Sequence, residues 1–139
     1  MSTSATDLFN YRRRQSSVVH IGSIDMGGDN PIRIQSMTTT NTNDTASSVA
    51  QAERIIEAGG ELVRLTTQGS REAENLKNIN AGIRADGYKT PLVADIHFNP
   101  HVADVAALYA EKVRINPGNY VDHARKFVHQ EYTDEEYAQ

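Results

Sequence analysis

Leu92-Val93-Ala94-Asp95-Ile96-His97-Phe98-Asn99-Pro100 is the stretch that decides the fold. An apolar run of strand length begins at Leu92 and leads straight into Asn99-Pro100, an N-cap followed by proline at the first helical position. Val102, Val105, Ala106 and Tyr109 then recur at helical spacing. A strand joined to a helix by so short a link is half of a βαβ unit.

The same grammar recurs outward from this stretch. Apolar runs begin at Ile32, Leu62, Leu92 and Val113, at intervals of 30, 30 and 21 residues. Asn43-Asp44 caps a helix with Val49, Ala52, Ile55 and Ile56 inward, ended by Gly59-Gly60. Ser70 caps a second, with Ala73, Leu76, Ile79 and Ile83 inward and an end near Gly87. A strand–helix period of ~30 residues predicts a parallel sheet. Upstream, the apolar runs Val18–Ile24 and Ile32–Met37 flank Gly27-Gly28-Asp29-Asn30-Pro31 and predict a hairpin or meander around that break.

The expected fold class is therefore α/β: a partial (β/α)8 TIM-type barrel of roughly four strand–helix units, preceded by a short β-hairpin. Residues 1–17, polar and bearing Arg12-Arg13-Arg14, read as a flexible solvated arm; residues 18–139 read as the barrel segment. After a short helical stretch at Val121–Gln130, Thr133-Asp134-Glu135-Glu136 forms a capping box close to the last residue, the expectation being a segment cut from a longer protein. Half a barrel would leave strand edges open, so pairing between two copies is an option.

Composition narrows the function classes. The chain has 139 residues, 38% of them hydrophobic, and a formal charge of −4. That balance argues against a chain built to coat nucleic acid or an anionic membrane. No apolar run approaches the ~20 residues of a membrane span, and the polar start lacks the pattern of a signal peptide. A cytoplasmic setting is the default. Zero cysteines exclude a disulfide, a thiol nucleophile and a cysteine-held metal on this chain.

The strands carry the chemistry. A parallel sheet covered on both faces should be nearly all apolar. Instead, period two groups Arg33, Gln35 and Met37; then Leu62, Arg64 and Thr66; then Val93, Asp95 and His97; then Arg114 and Asn116. Each strand thus bears polar groups on one face towards its C-terminal end, where barrels build their sites. Arg64 and Arg114 offer planar forks that match phosphate oxygens. Gln35, Thr66 and Asn116 add neutral hydrogen bonds, and the Asn116-Pro117-Gly118-Asn119 turn can aim backbone N–H groups at an anion. Together they predict a site for a phosphorylated small molecule. Asp95 and His97 could relay a proton, position a hydroxyl or bind a metal, though two ligands do not make a metal site. The plainer alternative is that Asp95 neutralises Arg64 or Arg114. The hydroxyl-rich Ser36–Thr42 loop is either a ligand contact or an ordinary turn. His101, His123 and His129 read as ordinary helix residues. Lys77, Lys89, Lys112 and Lys126 fall off the polar face, which counts against a Schiff-base aldolase.

Gly27–Ile32 with Ile34–Thr38, then Asp44-Thr45, Leu62-Val63-Arg64, PLVADIHF at Pro91–Phe98 and VRINPGN at Val113–Asn119 stand in an order and spacing that resemble a known family. It is the 4-hydroxy-3-methylbut-2-en-1-yl diphosphate synthase family of the non-mevalonate isoprenoid pathway, and the likeness runs from about Tyr11 to the end. The resemblance implies a TIM-type barrel binding 2-C-methyl-D-erythritol 2,4-cyclodiphosphate, with Arg64 and Arg114 meeting the diphosphate and Gln35, Asn116, Asp95 and His97 nearby. It implies reductive ring opening and dehydroxylation with two electrons from a ferredoxin- or flavodoxin-type donor. They would pass through a 4Fe-4S cluster held by a separate C-terminal domain, so that this chain carries no cluster and is inactive alone. The acidic end resembles the longer, three-domain branch of plants, chlamydiae and Bacteroidetes. The alternatives are another phosphate-binding barrel, such as an aldolase or a pterin-binding synthase, and a non-catalytic diphosphate-binding module.

Overall fold

Two apolar faces dictate the architecture: the helix-facing side of a parallel sheet, and the inward stripes of the helices that cover it. A computed structural model describes residues 14–120. Most of the N-terminal arm, the Val121–Gln130 stretch with His123, Lys126 and His129, and the Thr133–Glu136 capping signal lie outside these residues.

In chain order the elements are β1 (Val19–Ile21), β2 (Ile24–Met26), β3 (Gln35–Met37), α1 (Thr45–Glu57), β4 (Leu62–Thr67), α2 (Ser70–Ala85), β5 (Leu92–Ile96), α3 (Pro100–Ala106), β6 (Lys112–Arg114) and α4 (Pro117–Tyr120). β1 and β2 form an antiparallel pair; β3-β4-β5-β6 form a four-stranded sheet in that order, parallel at every pairing. Sequential parallel strands with a helix after each are the arc of a (β/α)8 barrel.

Register sorts the side chains. Arg64 stands opposite Met37 and Val93, and Asp95 opposite Thr66 and Arg114. The alternate residues Val63, Leu65, Leu92, Ala94 and Ile96 point to the helix side. There they pack with Ala52, Ala73, Leu76, Ile79, Ile83, Val102, Ala103 and Ala106, all of them buried. At ~25 cal/mol per Å² of apolar surface, this layer is the main stabilising term.

The helices begin where local chemistry satisfies their first N–H groups. Asp44 accepts from Ser47 N–H at the start of α1. Asn99 accepts from His101 N–H at the start of α3, with Pro100 at the first position. At α2 the cap is Gly69 rather than Ser70, which is the first helical residue; Glu72 reaches back to Gly69 N–H at 2.9 Å and also accepts from Gln68 N–H. A glycine has no capping oxygen for the first helical N–H groups; Glu72 instead holds the Gln68 and Gly69 N–H groups just ahead of the helix.

The N-terminal region departs from the sequence expectation. The hairpin turns at Gly22-Ser23, between β1 and β2, not at Gly27–Pro31. The main sheet's first strand begins at Gln35, three residues after Ile32; Ile32 and Ile34 are 93% and 61% exposed, and the Ile34 carbonyl accepts from Glu61 and Leu62 N–H at the strand's entry. Ile21, Ile24 and Met26 pack with Leu62 and Val93, the lowest inward residues of β4 and β5. The hairpin therefore closes the N-terminal end of the polar face and leaves the C-terminal end as the open one.

Candidate functional site

Arg64 and Arg114 reach from strands on either side of β5 to one carboxylate. Arg64 Nη2 lies 2.5 Å from Asp95 Oδ2, and Arg114 Nη1 lies 3.1 Å from Asp95 Oδ1. Asp95 is 1% exposed; both arginines stay partly open to solvent. Asp95 and Arg114 are opposite in register, whereas Arg64 sits one inward layer lower and reaches up. The expected ion pair exists, with both arginines rather than one.

The stoichiometry leaves positive charge over. Two permanently charged guanidiniums share one carboxylate, and each uses only part of its fork. Arg64 Nε is buried and has no partner. A buried donor left unpaired costs free energy unless something else accepts from it. An anion lying over the pair would both balance the charge and take up these N–H groups.

His97 follows the end of β5. Its Nε2 is 3.4 Å from Asp95 Oδ2, too far for a good hydrogen bond, and is buried without a partner. Among the described residues no group of three or more His, Cys, Asp or Glu is arranged to hold a metal ion. With no cysteine either, the residues of this chain do not fit an iron–sulfur cluster.

Ile96, His97, Phe98, Asn99, Arg114, Ile115, Asn116 and Tyr120 line a cleft of about 230 Å³ at the C-terminal ends of β5 and β6. Asn116 contributes to that wall while its Oδ1 accepts from Gly118 N–H at 3.1 Å. That bond engages the Gly118 N–H within the turn itself. Asn116 retains its amide N–H groups for a ligand.

Other expected members lie elsewhere. Gln35 is exposed on the inward side of β3, opposite Leu62, and so below the Arg64–Asp95 layers. Thr66 is on the same face opposite Asp95, and its carbonyl accepts from Thr42 Oγ1. Arg33 is not on a strand. It bonds Asp25 O at 2.8 Å and Glu61 Oε1 at 3.0 Å, tying the hairpin to the closed end. Lys112 corrects the lysine argument, for it stands opposite Val93 and shares the inward face with Arg114. Its level is the closed end, two residues below Arg114, so it does not enter the cleft.

The Ser36–Thr42 loop resolves as a braced turn. Gln51 Oε1 accepts from Thr39 and Thr40 N–H, Thr40 Oγ1 meets Ser48 Oγ at 3.0 Å, and Asn75 donates to the Thr42 carbonyl. The Thr39, Thr40 and Thr42 hydroxyls are engaged with the fold, whereas Thr38 Oγ1 is buried without a partner. Phe98 is the cleft residue that sequence reasoning missed. Its signal was position: it lies between the polar strand end and the Asn99 cap, where a barrel loop faces its ligand.

Comparison with known proteins bears on this geometry. Residues 16–136 match the family model described as the GcpE TIM-barrel domain. The chain is 74% identical over 133 residues to 4-hydroxy-3-methylbut-2-en-1-yl diphosphate synthase (flavodoxin) of Phocaeicola vulgatus, covering 96% of this chain and 22% of the relative. Identity is 71% over 133 residues to the enzyme of the same name from Bacteroides thetaiotaomicron, again covering 96% and 22%. It is 52% over 130 residues to that from Chlorobaculum tepidum, covering 94% and 17%. The chain thus spans about a fifth of the length of these curated relatives.

Proposed function

The chain belongs to the GcpE TIM-barrel domain family, and from that premise we propose that it forms part of the substrate-binding face of a 4-hydroxy-3-methylbut-2-en-1-yl diphosphate synthase. The substrate would be 2-C-methyl-D-erythritol 2,4-cyclodiphosphate, opened and dehydroxylated with two electrons and two protons to 4-hydroxy-3-methylbut-2-enyl diphosphate and water. The observation that carries this reading is the sharing of one buried carboxylate, Asp95, by Arg64 and Arg114. The pair is preorganised and has charge to spare, which suits a diphosphate.

In this reading Arg64 and Arg114 clamp phosphate oxygens, and Asn116 donates a neutral hydrogen bond to them, while Gln35 stays below the site on β3. Asp95 fixes the two forks before the ligand arrives, which lowers the ordering cost of binding. His97, in the cleft wall with Asp95 beside it, would pass a proton to the departing hydroxyl. The electrons would come from flavodoxin, the donor in the relatives' printed names, through a 4Fe-4S cluster held by the rest of the protein. The protein would act in the cytoplasm; among the described residues no helix is long and apolar enough to cross a membrane. Residues 18–139 would be one segment of the barrel, with residues 1–17 as an arm ahead of it.

Calorimetric titration of the protein, at the full length of its relatives, with the cyclic diphosphate tests this. Saturable binding is expected, weakened at least tenfold by Arg64→Ala and by Arg114→Ala. Equal affinity in the unaltered protein and both variants would overturn the reading.

A further inference from the structure

Phe98 stands in a backbone conformation that its side chain disfavours. Its φ is +58°, and it is the non-glycine residue with positive φ among those described. Left-handed backbone is uncommon outside glycine, asparagine and aspartate, and a bulky residue there is an outlier.

Burial does not repay that conformation. Phe98 is 61% exposed. Its ring is tilted by 50° to the His97 ring at 6.2 Å between centroids, a loose contact. Among the described residues little packs on the Phe98 ring, and its backbone conformation is one that a glycine adopts without strain. Strain of this kind persists where a site needs it.

The cleft shows what it is needed for. Arg114, Asn116 and His97 supply polar wall, and Phe98, with Ile96 and Ile115, supplies apolar wall. At about 230 Å³ the cleft suits a small molecule with a charged end and a carbon end. We infer that Phe98 is a specificity-determining residue: its left-handed backbone holds the ring over the carbon skeleton of the ligand whose phosphates Arg114 and Asn116 bind. The inference rests on the diphosphate reading and adds to it a distinct apolar subsite.

The test separates the two ends of the ligand. Phe98→Gly, Phe98→Leu and Arg114→Ala are made in the protein at the full length of its relatives. Two probes are titrated by calorimetry: inorganic pyrophosphate, which has no carbon skeleton, and 2-C-methyl-D-erythritol 2,4-cyclodiphosphate. Phe98→Gly should raise the melting temperature, leave the pyrophosphate Kd within twofold, and weaken the cyclic diphosphate about tenfold. Phe98→Leu should restore most of that loss. A lowered melting temperature with Phe98→Gly, or equal weakening of both probes, overturns the inference. Pyrophosphate binding lost in Arg114→Ala, with cyclic diphosphate binding unmoved in Phe98→Gly, overturns the role of Phe98 and leaves the diphosphate reading standing. Binding of neither probe by the unaltered protein overturns both.

Discussion

Asp95 and Arg114 face each other in register across β5 and β6, with Arg114 Nη1 3.1 Å from Asp95 Oδ1. The pairing makes the carboxylate a shared anchor, because Arg64 holds the other oxygen. As the proposed clamp, the two arginines would be held in place before a ligand arrives. Binding would then be tied to folding, since the same groups hold β4, β5 and β6 together.

Removing the anchor should expose that link. Asp95→Ala leaves two guanidiniums facing each other with no carboxylate between them. Breaking a buried ion pair from one side costs about 3 kcal/mol or more, read as a lower urea midpoint with an unchanged slope. Pyrophosphate at a hundred times its Kd should return about 2.7 kcal/mol by binding the folded state alone. A loss that pyrophosphate does not reduce would mean that the arginines do not form an anion site.

The two arginines should behave unequally in stability and alike in catalysis. Arg64 is the more enclosed of the pair and has its Nε buried, so Arg64→Ala should lower the melting temperature more than Arg114→Ala. On the proposed reading, each change should cost about 2–5 kcal/mol in kcat/KM of the protein at the full length of its relatives. Arg→Lys should recover only part, because an ammonium cannot reproduce the fork. A melting point lowered by many degrees with kcat/KM unchanged would reduce the arginines to partners of Asp95.

What was legible in the sequence depended on how many signals agreed. The starts of β4 at Leu62 and β5 at Leu92 were read correctly, because apolar runs, helix caps and glycine stops all marked them. β3 was placed too early because Ile32 and Ile34 are apolar yet exposed, and hydrophobicity alone does not report burial. Gly27-Gly28 is a louder turn signal than Gly22-Ser23, where the hairpin in fact turns. An apolar run read from Val113 leaves out Lys112, the first residue of β6. Arg64, Asp95, His97 and Arg114 were found together because period two is robust in a regular sheet. The left-handed backbone of Phe98 had no sequence signal, for nothing in a phenylalanine announces it.

Gly27 marks a turn that no other residue can make. Its φ is +90°, and a Cβ there would lie 2.2 Å from the Ser17 carbonyl oxygen. Its own carbonyl accepts from both the backbone and the side-chain amide of Asn30. Gly27→Ala should therefore destabilise by about 2 kcal/mol or more, combining a disfavoured φ with a backbone clash. Gly59 also has positive φ, at +103°, but a Cβ there meets nothing within 4 Å. Gly59→Ala should cost only the conformational part, about 1–2 kcal/mol. Urea unfolding of both variants checks the order; equal losses would remove the clash from the account.

Stability should fall in acid through Glu111. Burial alone would push this carboxyl up, but it accepts from Leu92 N–H at 2.8 Å, Asn80 Nδ2 at 3.1 Å and Arg84 Nη2 at 2.7 Å. These bonds outweigh the burial and hold it below its ordinary value of 4.5. The sign follows from proton counting. Between the folded and unfolded values the unfolded chain binds the extra proton, so stability rises with pH there. The contribution is complete above the unfolded value and is lost as pH falls through the folded one. Glu61 acts the same way, held low by the Ile34 N–H and by Arg33. Glu53 acts in the opposite sense: the neighbouring Asp86 carboxyl, with burial and Glu57, raises it, so its protonation in acid offsets part of the loss. Glu111→Gln should cost about 1–2 kcal/mol at pH 7, the scale of hydrogen bonds to a charged group. It should also flatten the acid limb below pH 4.5, since a glutamine has no proton to gain. Urea unfolding of the unaltered protein and of Glu111→Gln at pH 7 and pH 3.5 checks this. A variant that loses stability in acid as steeply as the unaltered protein would show that Glu111 does not set the limb.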